Sequence, residues 1–487
     1  MIEHIAKNKR EYNLEKEHWR PAYHFSAPKG WLNDPNGLIY YKGYYHLFYQ
    51  HNPKHCNWDS MHWGHAISKD MMHWKDLPIA LAPDLPYDND PDGGCFSGSA
   101  VEKDGILYLF YTGAIKGGNG LIQTQCMAYS EDGVHFKKYE GNPIISLPPS
   151  GVLEDFRDPK VFSVGDKWYM VIGGSVGGAE GGGDGRIYLY ASDDLLQWEY
   201  KGNILESNGK LGTMFECPDM FELNGKWVVT CFPIFHPKNN KALYCVGTMD
   251  FENCEYHIEH IGTLDAGFDY YASQSFLDEN GNRVLIGWLH GFSWMPWFEN
   301  SGPTDIEGWR GTLSIPRVAT LDKNNQLHLQ PISNLDNIKT LDALEENIQI
   351  TKTKHKLNPS DPHSFEIKIS GNVSEIESRF LEIGLLVGNN KETKIELDFI
   401  AGVMTLDRSN SDVYTSGKVN CIFDNEDKFD LQVLVDHSCI EVILNKGRHI
   451  LSANVYPEKE QTECYIRTPY KSATLRKVET RSLKSVW

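Results

Sequence analysis

An internal repeat constrains this 487-residue chain more than any other feature. Five times, a run opening on an acidic or small polar residue passes through a Gly-containing turn and returns as an apolar, aromatic-rich run. The first copy starts at Asp34-Pro35-Asn36-Gly37 and returns through Gly43 as Tyr44-Tyr45-His46-Leu47-Phe48-Tyr49. The second starts at Phe96-Ser97-Gly98-Ser99 and returns through Asp104-Gly105, the third runs from Asp158-Pro159 through Gly165, and the fourth from Glu216-Cys217-Pro218-Asp219 through Asn224-Gly225. The fifth opens at Gln274-Ser275-Phe276 and returns through Asn280-Gly281 to Trp288. Between the hairpins, Ser68, Ser130 and Ser192 stand 62 residues apart, each six residues before a large aromatic (Trp74, Phe136, Trp198). Each unit therefore supplies about four short strands, and alternation such as Ile106, Tyr108, Phe110 argues for strand over helix. Five such units predict a five-bladed β-propeller.

The repeat has a chemical consequence. First strands of propeller blades line the central channel, so their opening residues converge at one end, and three of the five openings carry carboxylates: Asp34, Asp158 and Glu216. Acids at strand starts often do no more than satisfy turns. Cleaving a glycosidic bond, however, needs one carboxyl to protonate the leaving oxygen and a second across the sugar, because the transition state is oxocarbenium-like. Crowding like charges also raises at least one pKa, which keeps a proton available near neutral pH. The same arrangement suits any propeller glycosidase.

From residue 336 the pattern changes to alternating strands between polar turns, as in Phe380–Val387 and Leu431–Asp436, which predicts a β-sandwich. The expected architecture is all-β: a propeller over residues 1–335, with a charged and helical N-terminal extension over 1–20 on the outside, then a sandwich over 336–487. The length agrees, since single cores stop growing at roughly 250–300 residues. A net charge of -19 opposes nucleic-acid binding. The basic run Lys471, Arg476, Lys477, Arg481, Lys484 reads as a solvated edge strand. No 18-residue apolar stretch exists to span a membrane. The N-terminus lacks the apolar region of a secretory signal, and the ten cysteines contain no Cys-x-x-Cys, so reduced thiols in a cytoplasmic protein are expected.

The local sequences resemble a known family. Trp31-Leu32-Asn33-Asp34-Pro35-Asn36-Gly37, Phe156-Arg157-Asp158-Pro159 and Glu216-Cys217-Pro218-Asp219 are similar to the three signature blocks of glycoside hydrolase family 32, the invertases and sucrose-6-phosphate hydrolases. Phe96-Ser97-Gly98-Ser99, Asp269-Tyr270-Tyr271-Ala272-Ser273-Gln274-Ser275, Gly308-Trp309-Arg310-Gly311 and, in the second domain, Asp436-His437-Ser438-Cys439-Ile440-Glu441-Val442 extend the likeness. The resemblance implies a retaining β-fructofuranosidase acting on sucrose, sucrose 6-phosphate or short fructo-oligosaccharides. It makes Asp34 the nucleophile, Glu216 the general acid/base and Asp158 a stabiliser of the transition state. It places Trp31, Leu32, Asn33, Gln50, Trp58, Phe96, Ser97, Arg157 and Trp288 around the fructose. It implies no cofactor and no metal, a small sugar as the only partner, and leaves the oligomeric state open.

Other signals are weaker. The glycine-rich Gly177–Gly185 stretch opens no helix and lacks a following Lys-Ser/Thr, so it reads as a loop rather than a phosphate cradle. His46, His51, His55, His62, His65 and His73 are dense, yet no His-Glu-x-x-His occurs, and they read as satisfied histidines of aromatic strands. Cys217 reads as a buried, inert thiol. Lys238 and Lys241, in His236-Pro237-Lys238-Asn239-Asn240-Lys241, are candidate cations for a phosphorylated glucose unit. An inverting propeller glycosidase acting on arabinan or xylan and a non-catalytic carbohydrate-binding propeller are the competing readings.

Overall fold

A computed structural model describes residues 16–118, 120–150, 155–178, 182–234, 242–292, 302–424 and 426–487. These residues form five sheets of the repeat unit and two six-stranded sheets. Blade I contains Gly30–Tyr41, Tyr44–Asn52, His62–Ser68 and Trp74–Asp76; blade II starts with Gly94–Lys103, blade III with Phe156–Val164, blade IV with Met214–Leu223 and blade V with Tyr271–Leu277. Each first strand packs against the first strand of the next blade, and that of blade V returns to blade I, closing a ring. Burial follows radius. The inner strand Gly30–Tyr41 is buried over most of its length, whereas the outer blade IV strand Glu255–Thr263 is mostly exposed.

Local chemistry explains the repeat. Ser68, Ser130 and Ser192 end third strands, and their hydroxyls donate to Asp70, Asp132 and Asp194 at 3.0, 2.9 and 3.1 Å. The same aspartates accept the N–H groups of the next turn, for example Met72 and His73 at 3.0 and 2.8 Å, so a side-chain carboxylate closes the corner before each aromatic. The Gly308–Gly311 block closes the ring: Trp309–Arg310 pairs in parallel with the start of blade I, Gly30 facing Trp309 and Trp31 facing Arg310.

The second unit is a sandwich around Ile367, Ile383, Leu397, Leu431 and Val433. One of its sheet edges, His449–Asn454, would expose unpaired backbone, and the propeller covers it. Ala266 and Asp269 donate backbone N–H to Ile450 and Ser452 carbonyls at 2.9 and 3.1 Å, and Asn454 donates its own to Asp269 Oδ2 at 2.8 Å. The basic C-terminal segment is not an edge: Ala473–Leu483 lies between Lys339–Ile350 and Phe365–Asn372, with Lys477 and Arg481 both paired to the buried Glu479.

The described end of the N-terminal extension also differs from expectation. Residues 16–20 form turns, and Arg20 is fully buried, stacked on Trp309 at 4.4 Å with its guanidinium donating to the Ala27 carbonyl at 2.7 Å. His24 follows, clamped between Asp436 at 2.8 Å and Glu441 at 3.0 Å. Glu441 also takes Arg317 of the propeller at 2.6 Å, and Arg317 reaches Asp265 at 3.0 Å. The second-domain block Asp436–Glu441 is thus an interdomain staple.

Candidate active site

Every inner strand carries an irregularity where its opening residue meets the channel. The ladder slips between Leu32 and Pro35, Phe96 and Gly98, Arg157 and Lys160, Glu216 and Asp219, and Tyr271 and Gln274. A bulge leaves residues unpaired and re-aims their side chains. This accounts for the prolines: Pro35, Pro159 and Pro218 stand at bulges, where the N–H that proline lacks has less ladder to serve. Asp158, Cys217 and Ala272 adopt left-handed backbone there, φ 67°, 44° and 51°, a conformation that costs energy in non-glycine residues and clusters at functional sites. The blades also meet closely, since a Cβ on Gly173 would lie 2.0 Å from the Phe215 carbonyl oxygen.

The bulges bring the predicted acids together. Asp34 accepts hydrogen bonds from Asn33 Nδ2 at 3.0 Å and Ser97 Oγ at 2.5 Å, and Asn33 in turn accepts the Trp31 indole N–H at 2.6 Å. Asp158 accepts the Cys217 backbone N–H at 2.9 Å, and the Cys217 thiol lies 3.5 Å from Asp34 Oδ2 and 3.6 Å from Asp158 Oδ2. Glu216 has both oxygens engaged. Arg157 Nη2 and Nε donate to Oε1 at 2.7 and 3.1 Å, and the Tyr271 hydroxyl donates to Oε2. Asp155 holds the far side of the guanidinium at 2.6 Å.

Burial dominates the electrostatics. It pushes the Asp34 carboxyl up to about 6, against the hydrogen bonds from Ser97 and Asn33 that lower it, with Glu216 adding repulsion. Asp158 is pushed up to about 7, again by burial, with Arg157 opposing and Glu216 and Asp34 reinforcing. Burial followed by the charges of Asp158 and Asp34 drives the Cys217 thiol well above its ordinary value, so it stays protonated and can donate weakly to both carboxylates.

The aromatic residues expected at the site pack in pairs. Trp31 meets Trp288 edge to face at 5.8 Å, and Trp58, half-buried, meets Phe96 at 5.6 Å. Gln50 donates to the Cys95 carbonyl at 2.8 Å, beside Phe96. Leu32 is fully buried in the core, its carbonyl oxygen pressed towards Gly311, where a Cβ would lie 1.9 Å away. Lys238 and Lys241 lie outside the described residues, and Gly177–Gly185 joins two blade III strands, Asp184 and Gly185 opening the second, with residues 179–181 likewise outside. Three of the histidines are buried on local partners, His46 Nδ1 lying 3.0 Å from His65 Nε2 and His51 Nδ1 2.7 Å from the Trp31 carbonyl, whereas His55 and His73 are exposed. Tyr271 is the residue that reading by type missed. The fifth repeat opens on it, three residues before Gln274.

A ring of blades whose inner-strand bulges bring three carboxylates and an arginine together defines the class: a propeller glycoside hydrolase. The sequence models of the N-terminal and C-terminal domains of glycosyl hydrolases family 32 match residues 24–331 and 336–482, and the chain belongs to that family. It is 32% identical to sucrose-6-phosphate hydrolase of Escherichia coli, over 94% of this chain and 93% of that protein, and 31% identical to raffinose invertase of the same species, over 94% of each. Among solved structures it resembles a Bombyx mori family 32 β-fructofuranosidase with a TM-score of 0.80 at 31% identity, covering 96% of this chain and 95% of that one.

Proposed function

We propose that this chain is a retaining β-fructofuranosidase in which Asp34 and Glu216 divide the chemistry at one bond. The observation that carries the division of roles is the difference in their surroundings. Asp34 is oriented by two neutral donors, Asn33 and Ser97, and buried, which suits a carboxylate whose oxygen attacks carbon. Glu216 is oriented by an arginine and a phenol. The Tyr271 hydroxyl donates to Glu216 as a carboxylate and accepts from it as an acid, so it serves both protonation states, as a group that gives and then recovers a proton requires.

In the first step Asp34 bonds to the fructosyl anomeric carbon while Glu216 passes its proton to the departing glycosidic oxygen. In the second, Glu216 takes a proton from water, whose oxygen displaces Asp34 and releases fructose. Asp158, buried beside both, accepts sugar hydroxyls and offsets the positive charge of the transition state. Trp31, Trp58 and Phe96 supply apolar faces for sugar C–H groups, while Trp288, fully buried, backs Trp31 rather than meeting the sugar. Residues 1–335 form the catalytic unit, and 336–487 the sandwich that braces it.

The substrate is sucrose or a close relative. The Bombyx mori enzyme, as a variant, has been solved in complex with sucrose, and the E. coli relatives named above are a sucrose-6-phosphate hydrolase and an invertase. Cytoplasmic action is supported by the ten cysteines, all of which are free. Among the described residues no helix is long and apolar enough to cross a membrane. Relative kcat/KM on sucrose, sucrose 6-phosphate, kestose and inulin tests the reading. Higher efficiency on sucrose 6-phosphate assigns the phosphorylated sugar, equal efficiency assigns plain β-fructofuranosidase activity, and no turnover of any of them contradicts the proposal.

A further inference from the structure

A second polar layer lies along the inner strands just past the acids. Lys160 stands two residues after Asp158 in blade III, and Asp219 three residues after Glu216 in blade IV. Both are buried, at 7% and 1% exposure. Lys160 Nζ donates to Asp219 Oδ2 at 3.1 Å, to Gln274 Oε1 at 3.2 Å and to the Ser275 carbonyl at 2.5 Å. Asp219 Oδ2 also accepts the Ser275 backbone N–H at 2.5 Å. One ammonium and one carboxylate thereby join the inner strands of blades III, IV and V.

Each of these strands bulges between its tie and its site residue, over Arg157–Lys160, Glu216–Asp219 and Tyr271–Gln274. Ladder bonds that would fix a strand are interrupted at a bulge, and the three inner strands belong to different sheets. The spacing between Asp158, Glu216 and Tyr271 is therefore not set by sheet pairing alone. Stability does not by itself account for the pair either, because exchanging a buried ion pair for uncharged groups of similar volume is often neutral or stabilising.

We infer that Lys160 and Asp219 are positioning residues for the hydrolytic reaction, a clamp that fixes the three bulges relative to one another and so holds Glu216 at its working distance from the bond. The inference rests on the assignment of Glu216 as acid/base. Geometry of this kind has a kinetic signature, since a displacement of about 1 Å at a reacting group costs on the order of 10²-fold in rate.

The test is the double variant Lys160→Met/Asp219→Asn, which removes both charges together and leaves an amide oxygen to accept the Ser275 N–H. It is measured beside Gln274→Met, which keeps the ion pair and removes one tether, and beside Glu216→Gln. The expected result is a double variant that melts within about 5 °C of wild type, with kcat on sucrose lowered about tenfold or more and KM changed less than about threefold. Gln274→Met shows a smaller fall in kcat in the same sense, and decides the matter if the double variant does not fold. Wild-type kcat in the folded double variant, or in Gln274→Met should that variant be the only one to fold, overturns the clamp, as does a change confined to KM. An active Glu216→Gln variant instead removes the catalytic assignment on which the clamp depends, so the two failures are separable.

Discussion

The guanidinium of Arg157 in blade III sits 2.7 Å from Oε1 of Glu216 in blade IV, leaving Oε2 to Tyr271 of blade V. The candidate acid/base is thus held by donors from the blades on either side of its own. If Tyr271 acts through Glu216, Tyr271→Phe lowers kcat about tenfold with little change in KM. In a Glu216→Gln background, itself down about 10²–10⁴-fold, the same substitution then costs little more, because residues acting as a unit are non-additive. Independent, multiplicative losses would separate the two.

The acid limb of kcat/KM reports Asp34, which must be ionised to attack, together with Asp158, whose negative charge offsets the positive charge of the transition state. With burial pushing Asp34 up to about 6 and Asp158 up to about 7, activity falls as pH drops through that range. Ser97 donates to the ionised form, so Ser97→Ala moves the limb to higher pH. A limb that stays in place in Ser97→Ala, measured from pH 4 to 8, contradicts this assignment.

The raised carboxyl also destabilises the fold. Asp34 binds its proton more tightly folded than unfolded, so its contribution is least unfavourable below the unfolded value of 3.8 and becomes a full penalty above about 6. Asp34→Asn removes that penalty. It should be more stable than wild type at pH 7.5, by about 1–3 kcal/mol, while losing turnover, and the difference should shrink towards pH 4. Calorimetry at both pH values reads this directly.

His24 behaves oppositely. Burial alone lowers its pKa, but Cys439 and the hydrogen bonds to Asp436 and Glu441 raise it well above the ordinary value. Burial pushes the Cys439 thiol up to about 11, leaving it uncharged at pH 7, so the two carboxylates are the partners that hold the imidazolium. Its stabilisation is full below the unfolded value of 6.5 and disappears as pH rises through the elevated folded value. His24→Ala leaves two buried carboxylates short of a partner and costs about 3–5 kcal/mol near neutral pH, and the gap from wild type closes under alkaline conditions. Thermal melts across that range check it.

Period and composition made the strands legible, because alternation with regularly spaced turns is a property of the sequence alone. They placed Asp34, Asp158 and Glu216 at equivalent positions, and the structure joins them through Cys217. The bulges were not legible, since slippage depends on the neighbouring strand. This is why the repeat pattern opens the fifth unit at Gln274 and assigns Tyr271 no role. Likewise, nothing local distinguishes a basic strand at an edge from one flanked on both sides, as Ala473–Leu483 is. The burial of Arg20 and His24 depends on partners some 290 and 410 residues away, Trp309 and Asp436.

The central claim is that fructose departs through a covalent bond to Asp34, and trapping with methanol tests it most directly. Sucrose is turned over in buffer containing methanol, and the methyl fructoside is assigned by NMR. Two displacements at the anomeric carbon predict methyl β-D-fructofuranoside as the only anomer, formed by wild type and not by Asp34→Asn. Formation of the α-anomer, or of the β-anomer at wild-type rate by purified Asp34→Asn, would contradict the account.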